Sequence, residues 1–151
     1  MKVVLSATGP EGRAACSWCS ANLDPGTSVT VVVGLSHLGE FVLGVPPFDA
    51  AGGEMALMEA VRLDYCRPLE ARGLDCHASL VLERQGAAVL DVARKEHADL
   101  IVVGKRPHGP VAEAVRGEVA SQLVHHPPCP LVVVPVDFDT APARAGASGV
   151  T

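Results

Sequence analysis

Short, almost unbroken apolar runs recur along the chain, separated by longer stretches whose apolar positions keep helical spacing. Lys2 to Ala7 is the first such run, and Ser28 to Leu35, with Val29, Val31, Val32 and Val33, is the second. Apolar runs of this length suit strands covered on both faces. Between them, Gly9-Pro10-Glu11 predicts a helix start near Pro10, since proline and an acid both suit a first turn. That helix runs through Ala14, Ala15 and Trp18 to about Leu23, and Asp24-Pro25-Gly26-Thr27 is a turn. Residues 36–53 hold four glycines and two prolines and predict a long irregular excursion. A helix follows over about 54–72, with Met55, Met58, Val61, Tyr65 and Leu69 near one stripe. Pro68 predicts a kink near Cys66-Arg67, and Gly73 suits the residue just past the helix end.

The second half repeats the theme. Asp75 to Leu82 alternates, with Cys76, Ala78, Leu80 and Leu82 on one face. Gln85-Gly86 opens a helix that reaches about His97. Leu100 to Gly104 is a fourth strand, Val111 to His126 a last helix, and Leu131 to Val136 a fifth strand. Thr140 to Thr151 is small and polar, so residues 1–138 read as the domain and 139–151 as a disordered tail. Strands that alternate with helices predict parallel, right-handed crossovers with helices on both faces. Ligands of such sheets bind beyond the carboxyl ends of the strands, where the strand order reverses. The loops that matter therefore follow Ala7, Leu35 and Val103.

Composition narrows the function. The 151 residues carry 12 Lys+Arg against 17 Asp+Glu, a net charge of -5, which disfavours a broad nucleic-acid surface. Aromatics are 3%, too few for a base-stacking platform. No apolar run reaches the ~20 residues of a membrane span, and no signal-peptide pattern follows Met1. The expected setting is cytoplasmic, with the five scattered cysteines reduced.

The strand-four exit carries the most specific pattern: Asp99-Leu-Ile-Val-Val-Gly104-Lys105-Arg106-Pro107-His108-Gly109, then Arg116-Gly117-Glu118-Val119, then Pro128-Cys129-Pro130-Leu-Val-Val-Val-Pro135. With these phrases the chain resembles the universal stress protein family over roughly residues 2–136, most strongly from Ala98 to Pro135. The resemblance implies an α/β three-layer sandwich: a five-stranded parallel sheet in the order 3-2-1-4-5 with four helices, Rossmann-like and similar to the adenine nucleotide alpha hydrolases. It also implies a stress-response role and usually a homodimer. Pairing through Leu131–Val136 is the expected interface, because an apolar edge strand is a liability unless paired.

ATP-binding members of that family carry Gly-x-x-Gly, nine residues, then Gly-Ser or Gly-Thr. Glycines let backbone N–H groups approach phosphates, and the hydroxyl adds a donor. Carried over by position, the pocket comprises Thr8, Gly9, Val33, Gly104, Lys105, Arg106, Gly109, Gly117, Glu118 and Val119. Three departures stand out. Pro107 replaces the second glycine and has no N–H to offer. Glu118 puts a carboxylate where the hydroxyl belongs. Thr8-Gly9-Pro10 replaces the Asp-Gly-Ser phrase, so the adenosine-binding carboxylate is missing. Glu118 is expected to fill the anion site itself, beside Lys105, Arg106, His108 or Arg116. Read without the resemblance, Gly104 and Gly109 are ordinary strand-exit turns.

These substitutions imply a non-enzymatic regulatory module whose ATP-phosphate motif is degraded, so ATP or another adenine nucleotide binds weakly or not at all. The alternative is a functional ATP/AMP-binding protein or weak ATPase using the same pocket. No catalytic residue is assigned: Ser6, Ser36 and Ser121 lack a nucleophile elbow, and no P-loop Gly-Lys-Ser/Thr occurs. No metal is expected, since Cys76-His77 and His125-His126 are adjacent pairs rather than a ligand set. His125 and His126 suit a helix C-terminus, and His37 a surface loop. A third reading is thiol redox at Cys16-Ser-Trp-Cys19, set against packed thiols in a second helical turn.

Overall fold

The computed structural model describes residues 1–7, 9–35, 50–105 and 127–137. The elements, in chain order, are β1 (Lys2–Ser6), α1 (Gly9–Asn22), β2 (Ser28–Gly34), α2 (Ala50–Val61), a π-helical segment (Arg62–Cys66), α3 (Arg67–Glu70), β3 (Asp75–Val81), α4 (Gln85–Lys95), β4 (Leu100–Lys105) and β5 (Leu131–Pro135). The strands form one sheet in the order β3-β2-β1-β4-β5, and every pairing is parallel. The helix expected over 111–126 and the tail expected over 139–151 lie outside the described residues.

The unbroken apolar runs are explained by two-sided burial. Val3 and Leu5 of β1, Val29, Val31 and Val33 of β2 and Val102 of β4 pack with Ala14, Ala15, Cys16 and Cys19 of α1 and with Leu57, Val61 and Tyr65. The intervening residues Val4, Val32, Ile101 and Val103 pack on the other face against Ala88, Val89, Val92 and Ala93 of α4. A polar break in that second layer is Thr30, whose hydroxyl donates to Glu96 Oε1 at 2.8 Å. A buried hydroxyl needs such a partner to offset its desolvation.

Pro68 shapes the long helix as its chemistry requires. Proline has no N–H to give the carbonyl four residues back, so the preceding turn widens. The widened turn is the π segment, closed by the Arg67 N–H donating to the Arg62 carbonyl. Gly73, at φ +87°, then ends the helix. Its N–H donates to the Glu70 carbonyl at 2.9 Å and the Leu74 N–H to the Leu69 carbonyl at 3.1 Å, the paired bonds of a left-handed helix cap.

Two sequence expectations need correction. His97 is not helical: it sits at φ +53° past the end of α4, and the Ala98 N–H reaches the Ala93 carbonyl at 2.9 Å. It takes the left-handed position that glycine usually fills. Leu82 is not a core residue of β3, for the strand ends at Val81 and Leu82 is 82% exposed.

Candidate functional site

The strand order reverses between β1 and β4, so the crevice of this sheet lies beyond their carboxyl ends. Two glycines bring α1 unusually close there. A Cβ on Gly104 would overlap the Glu11 carbonyl oxygen and come within 2.5 Å of its carbon and 2.7 Å of its Cα. A Cβ on Gly12 would lie 3.0 Å from the Ala7 Cα and 2.7 Å from the Tyr65 hydroxyl. The first turn of α1 therefore rests directly on the β4 exit, with its N-terminus at the crevice. A helix N-terminus presents unpaired N–H groups and the positive end of its dipole.

Four of the residues carried over by position fall among those described. Gly9 begins α1. Gly104 and Lys105 end β4; Lys105 is partly exposed, and its carbonyl accepts the Val136 N–H at 2.8 Å. These three converge on the crevice. Val33 is brought to the carboxyl end of β2 but is fully buried in the core layer beneath α1. Thr8, Arg106, Gly109, Gly117, Glu118 and Val119 lie outside the described residues, as do Pro107, His108 and Arg116.

A polar lock beside the crevice went unnoticed in the sequence. Gln85, the first residue of α4, accepts the Gly34 N–H on Oε1 at 2.7 Å. Its Nε2 donates to the Val32 carbonyl at 2.8 Å and to the Ser6 hydroxyl at 3.0 Å. One amide thus ties the ends of β1 and β2 to the start of α4. The same contact leaves Ser6 buried and engaged with an amide. The only sequence signal was a polar residue between a strand exit and Gly86. Nearby, at the exit of β3, one carboxylate oxygen of Glu83 is buried with no hydrogen-bond partner among the described residues.

The cysteine expectations separate cleanly. Cys16 and Cys19 are buried in α1, and neither forms a disulfide. Burial pushes the Cys16 thiol up to about 12 and the Cys19 thiol higher still. The Cys16 Sγ donates to the Tyr65 carbonyl at 3.7 Å. Of the two readings of this pair, packed thiols fit the structure: a reactive thiol needs a stabilised thiolate, and these are buried apolar groups. Cys76 and His77 point to opposite faces, Cys76 inward and His77 outward, where it pairs with Asp75 at 3.5 Å. Among the described residues no group of three His, Cys, Asp or Glu side chains is placed to hold a metal. His37, His125, His126, Ser36 and Ser121 lie outside the described residues.

No described helix is long and apolar enough to cross a membrane.

Comparison with known proteins agrees with this geometry. Universal stress protein Sll1654 of Synechocystis sp. is 41% identical over 61 residues, a stretch covering 38% of this chain and 39% of that protein. The chain thus aligns with well under half the length of that relative. A universal stress protein family protein from Arabidopsis thaliana, solved with AMP bound, superimposes with a TM-score of 0.63 at 12% identity, covering 97% of this chain and 99% of that one. A universal stress protein solved in complex with cAMP superimposes with a TM-score of 0.59 at 16% identity, covering 90% and 97%. At such identities the likeness establishes the fold. The model of the universal stress protein family itself matches residues 2–135, and the chain belongs to that family.

Proposed function

We propose that the chain is a non-enzymatic, cytoplasmic regulatory module of the stress response, with an inherited adenine-nucleotide pocket whose phosphate-binding arm has been dismantled. The observation that carries this reading is the contrast within one motif. Gly104, packed against Glu11 where the sheet order reverses, keeps the family's first glycine. Pro107 and Glu118, later in the same motif, remove a donor and add a negative charge. Lost charge-assisted donation is worth about 1.5–3 kcal/mol. A carboxylate ~4 Å from a phosphate costs about 4 kcal/mol at an effective dielectric of ~20. Micromolar binding totals only about 8 kcal/mol, so the two changes together suffice to remove it. The test is to denature the purified protein and assay the released small molecules. The expected result is far less than one adenine nucleotide per chain, and no phosphate release when the protein is incubated with ATP. Stoichiometric ATP, or steady phosphate release, contradicts the reading.

A second reading, retained binding of a nucleoside monophosphate, is favoured by the relatives solved with AMP and with cAMP. Such a ligand makes the least demand on the altered arm. Stoichiometric AMP in the extraction assay supports this reading over the first.

The proposed partner is a second copy of the chain. β5 ends the sheet, and Val133 is 38% exposed on it. An apolar strand with an open edge invites pairing. Sedimentation analysis at roughly tens of micromolar is expected to give a dimer, since association follows mass action. A single monomer species across that range contradicts the interface.

A further inference from the structure

At the opposite end of the sheet from the nucleotide crevice, two thiols meet that no local motif connects. Cys66 closes the π-helical segment, and Cys76 is the second residue of β3, beside Val29 near the start of β2. Both are nearly buried, at 4% and 8% exposure, and both belong to the same core layer. They border a cavity of ≈ 460 Å³ that Arg62, Arg67, Glu59 and Glu70 also line. That volume falls within the ~300–1,000 Å³ range of small-molecule sites. Its rim, with two guanidinium groups and two carboxylates, complements a zwitterionic molecule rather than a simple anion. The widened turn that delivers Cys66 exists because of Pro68, and π segments are often found at functional sites.

We propose that Cys66 and Cys76 form a reversible dithiol–disulfide site, in which Cys66 attacks a zwitterionic low-molecular-weight disulfide seated in the cavity and Cys76 resolves the product. The chemistry closes without another reagent. The Cys66 thiolate attacks one sulfur of the disulfide RSSR; a protein–SR mixed disulfide forms and RS⁻ leaves, taking up a proton. Cys76, losing its proton, then attacks the Cys66 sulfur and expels the second RS⁻, which is protonated in turn. Two protein thiols are oxidised to one disulfide, and RSSR is reduced to two RSH. The roles follow from the surroundings. The neighbouring Cys76 side chain lowers the Cys66 thiol and Arg62 lowers it further, against the opposing effects of burial and Glu70. The same neighbour and burial raise Cys76. Attack requires the thiolate, so Cys66 is the group prepared to start.

The experiment uses the full reduced chain and oxidised glutathione as probe, followed by non-reducing tryptic mass spectrometry. Cleavage after Arg72 separates the two cysteines, so their disulfide appears as two peptides joined. The expected result is a Cys66–Cys76 cross-link in the unmodified protein, and in Cys76→Ser a glutathione adduct trapped on Cys66. Cys66→Ser yields neither product at this site. Native-state alkylation of the unmodified protein needs no variant. Cys66 borders the cavity and Cys16 and Cys19 do not, so Cys66 is expected to react at least about tenfold faster than either. The proposal is overturned if Cys129 takes up the probe while Cys66 stays reduced. It is equally overturned if Cys66 is alkylated only on denaturation, or if the joined peptides pair other cysteines.

Discussion

Replacing Pro107 by Gly together with Glu118 by Ser raises ATP affinity at least about 100-fold over the unmodified chain. The two substitutions rewrite the loop as the family's phosphate-binding phrase, with Gly104 and Gly117 already in place. Glycine at 107 restores one backbone N–H, and a donor to a charged acceptor contributes about 1.5–3 kcal/mol. Serine at 118 removes a carboxylate and supplies a hydroxyl. Its removal relieves about 4 kcal/mol at ~4 Å and an effective dielectric of ~20. Each 1.4 kcal/mol is about tenfold, so even half of the combined gain amounts to about 100-fold or more. Glu118→Ser alone is expected to deliver the larger share. The gain is expected to grow with phosphate number, ATP over ADP over AMP, because the family phrase that the two positions occupy by sequence is its phosphate-binding one. Unchanged affinity in the double variant, measured by calorimetry, contradicts the assignment of these positions.

Gly104→Ala lowers stability by about 3 kcal/mol and the melting temperature by roughly 6–12 °C. Extra methyl groups in packed interiors cost about 1–3 kcal/mol, and this site belongs at the upper end. The added carbon would overlap the Glu11 carbonyl oxygen, with the Glu11 carbon at 2.5 Å. The obstacle is backbone, so no side-chain rotation relieves it. On the other side Gly104 is held in register with Val134 of β5. Either the first turn of α1 unwinds or the end of β4 moves. A domain of this size loses about 2–4 °C per kcal/mol, which gives the expected shift. A thermal melt of the variant within 2 °C of the original would show that α1 does not rest on Gly104 as described.

How much of this was legible in the sequence depended on how far each signal reached along the chain. Valine-rich runs marked four of the five strands, because two-sided burial leaves an apolar residue at nearly every position; β3 was legible instead by alternation. Pro68 and Gly73 announced their own effects, since a missing N–H and a tolerated positive φ belong to single residues. His97 was misplaced because the helical spacing continued through it while the backbone had already turned left-handed. The Cys16-x-x-Cys19 spacing suggested redox chemistry, but reactivity depends on burial beneath Tyr65 and the sheet, which spacing does not encode. Cys66 and Cys76 meet only through tertiary structure, on a π segment and an edge strand. Gln85 likewise locks two strand ends through one side chain with no pattern around it. At the candidate site, the glycine at 104 was legible as part of a motif. Its steric cause, the Glu11 peptide pressed against it, was not. The proposed loss of the phosphate arm at Pro107 and Glu118 rests on resemblance alone, because nothing in a lone glutamate marks the hydroxyl it replaces.

If the pocket has lost its grip on phosphates as proposed, calorimetric titration of the unmodified 151-residue chain with ATP will show it. The predicted result is no saturable heat at ATP concentrations up to about 100 μM, the affinity expected once several kcal/mol are lost from a micromolar site. One-site binding in the low-micromolar range would contradict the account.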